Sequence, residues 1–268
     1  MRTQNGESVL AKVVRIFEVF TPEESALTVS EISRRTGLHV ATASRLVAEL
    51  ASYGLLTRDA DRRVRVGTRL WELATRASPT LSLRNAALPF MEGVHDVVGH
   101  HVQLGVLDGD EVLFLERLTA PGAVINYTRI AGRLPLHASS GGLVLLAHGP
   151  ADLRKRVLDG PLQGYTPSTP ATAARLRAVL AEVRRQGYAY CPGFVHPDAL
   201  GVAAPVRDAR GEVVAALAVI VPNEAGASSV VTVVRTAARG VSRALGAPDA
   251  PGRGREPGDP RDGSATAG

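Results

Sequence analysis

The sequence contains a single cysteine and no long apolar run, and each scarcity excludes a class of protein. With Cys191 alone, neither an internal disulfide nor a metal cluster built from several cysteines can form. No apolar stretch approaches the roughly 20 residues of a membrane helix. The first residues also lack the basic-then-apolar pattern of a signal peptide. We therefore expect a cytoplasmic protein without a membrane partner.

The charge of the chain is unevenly distributed. Residues 1–85 contain 13 lysines and arginines against 9 acidic residues, whereas residues 86–268 contain 18 against 17. A basic segment beside a nearly neutral one is typical of a nucleic-acid-binding head on a neutral body. With 268 residues, 45% of them hydrophobic, the chain is long enough for two domains with buried cores.

The N-terminal segment has the helix signals of a helix-turn-helix. Apolar residues recur at helical spacing over residues 8–20, which predicts a first helix. Thr28 and Glu31 form a capping-box pattern that begins a short helix over residues 29–36, and a glycine ends it. A third helix is predicted from residue 40 to residue 53, with one apolar stripe that leaves the opposite face free.

The third helix and the hairpin after it provide the candidate DNA contacts. Small and hydroxyl-bearing residues on the outward helix face allow close approach to the major groove, and an arginine there can pair with guanine or phosphate. Extended segments at 55–58 and 64–66 flank a charged turn and predict a wing that contacts phosphates. A helical bundle whose arginines only favour solubility is the alternative. The candidate contacts are Thr28, Ser30, His39, Val40, Ala41, Thr42, Ser44, Arg45, Arg58, Arg62 and Arg63.

The rest of the chain mixes helices and strands and predicts an α+β fold with helices packed on an antiparallel sheet. Periodicity and turn signals predict a linking helix to residue 83, a helix at 86–98, and strands at 102–107, 112–118 and 124–130. Helices at 139–148 and 172–186, strands at 201–206 and 212–221, and a final helix at 230–245 follow. The Pro- and Gly-rich end is expected to be disordered.

Several stretches, taken in order, resemble the IclR family of bacterial transcriptional regulators. They are residues 27–38 (LTVSEISRRTGL), 42–46 (TASRL), 64–70 (VRVGTRL), 134–139 (LPLHAS), 187–189 (GYA), and 202–206 (VAAPV) with 208–211 (DARG). The resemblance implies a winged helix-turn-helix over residues 6–67, a linker helix over 68–84, a GAF-like effector domain over 85–246 and a tail over 247–268. It also implies a repressor that binds a palindromic double-stranded DNA operator as a dimer or tetramer and responds to a small molecule.

A serine and glycine turn is the candidate effector site. Ser139 or Ser140 is a natural N-cap, and the free N–H groups of a helix start attract a carboxylate. A plain capped and buried helix is the alternative. The resemblance places this turn, and the matching pocket positions, around the effector: Leu134, Ser139, Ser140, Gly141, Gly142, Cys191, Gly201, Ala218 and Ile220. Acid-binding members tend to have polar residues at the last four positions and Lys at 143, which is leucine here. We therefore expect a less polar pocket that takes a larger or more apolar effector, or none.

No feature of the sequence indicates an enzyme, a cofactor or a metal site. Cys191 precedes a proline and is tied to no histidine by a motif, and no nucleotide-binding fingerprint is present. The spacing of His95, His100 and His101 matches no common ligand pattern. One further possibility stays open: a ligand-binding or redox-sensing module whose basic N-terminal domain contacts protein rather than DNA.

Overall fold

The computed structural model describes residues 7–76, 78–126, 128, 130–224 and 229–248. The chain divides into two compact units, Met1–Leu81 and Ser82–Gly268. Each unit has its own hydrophobic core, and the second contains a larger antiparallel sheet with helices on both faces. The predicted α+β class is therefore confirmed. Of the predicted tail over 247–268, all but the first two residues lie outside the described part of the chain.

The first unit contains a trihelical core and a two-stranded hairpin. Ile16, Ile32, Leu46 and Leu56 are almost fully buried and pack together, one from each of four elements. The backbone of Leu27 also pairs with Val64, which attaches the segment before α2 to the hairpin. The elements are α1 (Val9–Glu18), α2 (Val29–Thr36), α3 (Val40–Ser52), β1 (Leu56–Arg58), β2 (Val64–Val66) and α4 (Thr68–Thr75).

The predicted linking helix is interrupted, which the sequence analysis did not anticipate. We predicted one helix over 68–83 and another over 86–98, but α4 ends at Thr75 and α5 runs from Pro79 to Val98. Proline disfavours a helical residue before it and is well accommodated at the first helical position. The Ser78 hydroxyl accepts a hydrogen bond from the Leu81 N–H at 3.3 Å, as a cap would. The break therefore lies at Pro79.

The second unit is built on a six-stranded antiparallel sheet in the order β5-β4-β3-β8-β7-β6. Helices α5 and α9 pack on one face, and α6, α7 and α8 contribute to the core on the other. The strands are β3 (His101–Asp108), β4 (Glu111–Leu118), β5 (Arg133–Pro135), β6 (Ala189–Pro192), β7 (Ala199–Arg207) and β8 (Val213–Pro222). The helices are α5 (Pro79–Val98), α6 (Ser140–His148), α7 (Ala151–Asp159), α8 (Ala173–Gln186) and α9 (Val230–Ala244).

One predicted strand is wrong, and three short elements were not predicted. The described residues of the 124–130 segment form no strand. There the Asn126 side chain accepts the N–H of Thr128, a local bond that competes with pairing in a sheet. The unpredicted elements are β5, α7 and β6. The two strands have three and four residues, too few to show a hydrophobic period.

Candidate functional site

Helix α3 has one buried face and one free face. Ala43, Leu46, Val47 and Leu50 are buried, whereas Val40 is 51% exposed. Ala41 and Arg45 are also exposed, and Thr42 and Ser44 are half-buried. His39 caps the helix, since its Nδ1 accepts the N–H of Ala41 at 3.3 Å. The predicted contact residues of this helix thus form one solvent-accessible surface.

Thr28 is engaged in the structure of its own helix. Its hydroxyl accepts the N–H of Glu31 at 3.2 Å and donates to the Glu31 carboxylate at 2.9 Å. That carboxylate accepts the Thr28 N–H in turn, and these hydrogen bonds lower the pKa of Glu31 below its ordinary value. Ser30, two residues further along the chain, is exposed. The structure therefore gives Thr28 a capping role and leaves Ser30 free on the surface.

The hairpin between β1 and β2 exposes arginines at its tip. Asp59 closes the turn, since its carboxylate accepts the N–H groups of Asp61 and Arg63 at 3.1 and 2.9 Å. The Arg63 guanidinium donates to the carbonyl of Ala26 at 2.8 Å, so it helps to hold the hairpin in place. Arg58 and Arg62 are exposed and have no ion-pair partner among the described residues. Arg58 and Arg62 are thus free on the surface, whereas Arg63 is engaged within the unit.

The second unit contains a cavity at the N-terminal end of α6. Its apolar walls include Phe114, Phe194, Ile125, Leu134 and Ile220. Polar side chains from several elements also line it: Gln103, Asn126, Thr128, Ser139, Ser140 and His196. Ser139 and Ser140 were predicted effector residues, whereas Gln103, Asn126, Thr128 and His196 were not.

Seven of the nine predicted effector residues line this cavity, and Gly142 and Ala218 do not. The N–H of Gly142 already donates to the Ser139 hydroxyl at 3.1 Å. A β-carbon on Gly142 would lie 2.5 Å from the Leu136 carbonyl oxygen, so this position is needed for packing. Ala218 is buried in the core between its strand partners Gln103 and Ala203.

Gly201 forms part of the cavity wall because it has no side chain. The Ser140 hydroxyl oxygen lies 2.9 Å from the position that a β-carbon on Gly201 would take. Gly141 differs, since a β-carbon there would meet only the Ala216 side chain at 3.7 Å, an ordinary contact. The first turn of α6 therefore approaches β7 closely where Ser140 meets Gly201.

A hydrogen-bond network holds the segment that covers the polar side of the cavity. Gln103, 2% exposed in the middle of β3, donates to the Thr128 hydroxyl at 2.5 Å. Arg117 donates to the Thr128 carbonyl. Asn126 accepts from the N–H and the hydroxyl of Thr128 at 3.0 and 2.8 Å. The only sequence signal for this network is a glutamine within an otherwise apolar strand.

Cys191 is buried and lines the cavity. Burial raises the pKa of its thiol well above the ordinary value, so the reactive thiolate is disfavoured. Among the described residues there is also no group of histidine, cysteine and acidic side chains that can hold a metal ion. The cavity wall therefore provides hydrogen bonds and apolar contacts rather than a nucleophile.

Comparison with known families decides the identity of the chain. Residues 75–243 match the family described as "Bacterial transcriptional regulator IclR C-terminal", and residues 9–60 match the "IclR helix-turn-helix domain". The chain belongs to the IclR family. The resemblance noted from the sequence is confirmed: the helix-turn-helix match falls on the trihelical unit, and most of the C-terminal match falls on the sheet-containing unit.

Other IclR proteins align with most of the chain. A crystal structure of an IclR homolog from Microbacterium hydrocarbonoxydans, complexed with 4-hydroxybenzoate, is 46% identical with a TM-score of 0.85 and covers 89% of this chain and 99% of its own. The HTH-type transcriptional regulator XynR of Escherichia coli is 30% identical over 77% of this chain and 82% of its own. The glycerol operon regulatory protein of Streptomyces griseus is 29% identical over 89% and 96%.

The IclR relatives are named transcriptional regulators and not enzymes. This chain is accordingly an IclR-type helix-turn-helix transcriptional regulator with an effector-binding C-terminal domain, and the prediction that it is not an enzyme is confirmed. Among the helices that the structure describes, none is long and apolar enough to cross a membrane.

Proposed function

We propose that the chain is a repressor that binds operator DNA through α3 and the β1-β2 hairpin. The observation that supports this is the free face of α3, where Ala41, Thr42, Ser44 and Arg45 stand opposite a fully buried stripe. Such a face can enter the major groove and read base edges. Arg58 and Arg62 at the hairpin contact phosphates, which orient the protein without selecting a sequence.

The proposed effector is an aromatic carboxylate that occupies the cavity of the second unit. The related protein from Microbacterium hydrocarbonoxydans was crystallised with 4-hydroxybenzoate, and it is 46% identical to this chain. Phe114 and Phe194 offer apolar surface for a ring. Ser140 and Gly141 lie in the first turn of α6, where helix N–H groups lack intrahelical acceptors and attract a carboxylate.

We further propose that the regulator is a homo-oligomer, a dimer or a tetramer, on a palindromic operator. Large apolar side chains of the first unit are exposed on two of its helices. They are Val9 (57%), Leu10 (71%) and Val14 (48%) on α1, and Trp71 (71%) and Leu73 (47%) on α4. Apolar groups at this exposure favour burial against another chain. A second copy related by two-fold symmetry would present paired recognition helices to paired half-sites.

Fluorescence anisotropy with DNA from the region upstream of the protein's own gene tests the DNA-binding proposal. We expect specific binding to this DNA. Arg62→Ala should weaken binding to every sequence and lower the slope of log affinity against log salt concentration by about 1. Arg45→Ala should instead change which base pairs are preferred. Arg177→Ala, an exposed arginine on α8 in the second unit, is the control. Binding that Arg45→Ala and Arg62→Ala leave unchanged would favour the alternative in which this unit contacts protein.

The effector proposal is tested separately, by calorimetry with benzoate and hydroxybenzoates and by repeating the DNA titration with the ligand present. We expect binding to one of these aromatic acids and a loss of DNA affinity when it is bound. Sedimentation of the protein alone, compared with a Leu10→Glu and Trp71→Glu double variant, tests the oligomer. The double variant should sediment as a smaller species.

A further inference from the structure

The segment between β4 and β5 brings a buried hydrogen-bond donor to the cavity without an acceptor. Asn126 lines the cavity, and its amide nitrogen Nδ2 is shielded from solvent. Within the part of the chain that the structure describes, this nitrogen has no hydrogen-bond partner. A buried donor without an acceptor is costly, so native proteins rarely leave one unless a water or a ligand satisfies it.

The orientation of the Asn126 amide is fixed by its neighbour. The amide oxygen accepts the backbone N–H of Thr128 at 3.0 Å and the Thr128 hydroxyl at 2.8 Å. A backbone N–H can only donate, so rotating the amide by half a turn would place the NH₂ group against another donor. The oxygen of Asn126 is therefore committed to Thr128, and the NH₂ group points away from it.

Thr128 is itself held in one hydrogen-bonding state. The Gln103 amide donates to the Thr128 hydroxyl oxygen, so the hydroxyl hydrogen is available to Asn126. Arg117 fixes the same residue through its carbonyl. The bonds run in one direction, from Gln103 to Thr128 to Asn126, and bonds aligned in this way strengthen one another. This chain of hydrogen bonds ends at the Asn126 amide, whose oxygen is satisfied and whose NH₂ group is not.

We propose that the Asn126 amide nitrogen is a specificity-determining donor that binds an oxygen substituent on the effector ring. This inference rests on the proposed function, in which the ligand carboxylate binds at the first turn of α6. The ligand class is thereby narrowed to aromatic carboxylates with a second oxygen function, such as a hydroxyl or an ether. Benzoate leaves the donor unsatisfied, whereas a suitably placed hydroxybenzoate satisfies it.

The test is a set of calorimetric titrations with benzoate, its three hydroxy isomers and the matching methoxybenzoates. For the unaltered full-length protein we expect one hydroxy isomer to bind at least about tenfold more tightly than benzoate, the gain that one well-placed hydrogen bond provides. In Asn126→Ala we expect that isomer to fall to the affinity of benzoate while benzoate itself is unchanged. Asn223→Ala is the control, because that amide donates to the Pro197 carbonyl and does not line the cavity.

A second variant keeps the network and removes only the donor. Asn126→Asp retains an oxygen for Thr128 but has no N–H, so the ether oxygen of a methoxybenzoate finds no donor. We expect the preference for methoxybenzoate over benzoate to disappear in this variant, even if Asn126→Ala disturbs the loop.

Three results would overturn the inference, and the first two of them leave the proposed effector class standing. If the unaltered protein binds benzoate and all its hydroxy isomers with equal affinity, no donor in the cavity recognises a ring oxygen. A preference that persists in both Asn126 variants assigns the donor to another residue. If no aromatic carboxylate binds the unaltered protein, the proposed effector class fails and the inference fails with it.

Discussion

Glu116 of β4 forms a salt bridge with Arg84 of α5, although the glutamate side chain is only 6% exposed. The same carboxylate accepts the backbone N–H of Arg117 at 2.9 Å. In the pairing of β3 with β4, Leu104 faces Glu116 and Gly105 faces Phe114, so Leu115 is an extra residue. This bulge lets Glu116 reach α5 while Phe114 faces the cavity.

Removing the arginine of this pair should destabilise the second unit. Arg84→Met leaves the buried Glu116 carboxylate with the Arg117 N–H as its donor, and we expect a loss of about 1–3 kcal/mol in the free energy of unfolding. This loss is smaller than that expected for a fully buried ion pair, because the Arg84 side chain is 37% exposed. Urea unfolding followed by circular dichroism measures the change. Arg177→Met on α8 should have no effect, and an equal loss in both variants would contradict the assignment.

Two adjacent glycines at the start of α6 should respond differently to alanine. A β-carbon on Gly142 would meet the Leu136 carbonyl oxygen at 2.5 Å, so we expect Gly142→Ala to cost about 1–3 kcal/mol of stability. Gly141→Ala meets only the Ala216 side chain at 3.7 Å and should be neutral or slightly stabilising, because alanine favours a helix. Thermal unfolding without ligand distinguishes them. Similar melting temperatures would show that the turn is not tightly packed at Gly142.

Acidification should destabilise the second unit through His101. Burial, opposed in part by the hydrogen bond to the Val124 carbonyl, lowers the pKa of His101 below its ordinary 6.5. The unfolded chain then binds a proton that the folded chain rejects, so the free energy of unfolding falls as the pH drops from about 6.5 towards the folded-state pKa. Burial lowers the pKa of His148 in the same direction.

Urea unfolding at pH 7.5 and pH 5.5 measures this dependence on protonation. His101→Gln keeps a donor for the Val124 carbonyl but cannot be protonated, so it should reduce the stability difference between the two pH values. The acidic groups whose pKa is lowered, such as Glu31 and Asp59, have ordinary values of 4.5 and 3.8 and act at lower pH. An unchanged difference in the His101 variant would assign the effect to another group.

Substitution of Thr28 should lower stability, whereas substitution of Ser30 should lower DNA affinity. Thr28→Ala removes the cap of α2 and should cost about 0.5–2 kcal/mol of stability in the first unit. Ser30→Ala removes an exposed hydroxyl on the same helix and should leave stability unchanged while weakening DNA binding. Chemical unfolding and DNA titration of both variants test this. A loss of stability in Ser30→Ala, or none in Thr28→Ala, would contradict these roles.

Local signals in the sequence were sufficient for the first unit. The capping box at Thr28 and Glu31 appears in the structure as predicted, and Gly37 ends α2 with φ of 69°. These features depend on residues a few positions apart, whose geometry follows from the chain itself. Pro79 is also a local signal for the break between α4 and α5, but apolar residues recur on both sides of it, which predicts one continuous helix.

The cavity depended on contacts that no local pattern specifies. Gln103 and Thr128 are 25 positions apart and meet only because the sheet places β3 beside the loop after β4. The side chains of segment 124–130 predict a strand, yet its described residues form none, and Ile125, Asn126 and Thr128 line the cavity. Gly142 was predicted as a ligand contact because sequence alone does not show which glycine of a pair is needed for packing.

The absence of a side chain at Gly201 has a consequence for how such a regulator changes its ligand. The Ser140 hydroxyl occupies the space beside Gly201, so any larger residue there must displace the helix start or shrink the cavity. Gly201 lines the same cavity as Phe114 and Phe194, which belong to a core that shares no residue with the core beneath α3. We therefore expect a single substitution at Gly201 to favour a smaller ligand while the helix-turn-helix unit stays unchanged, so that the ligand and the DNA site can evolve independently.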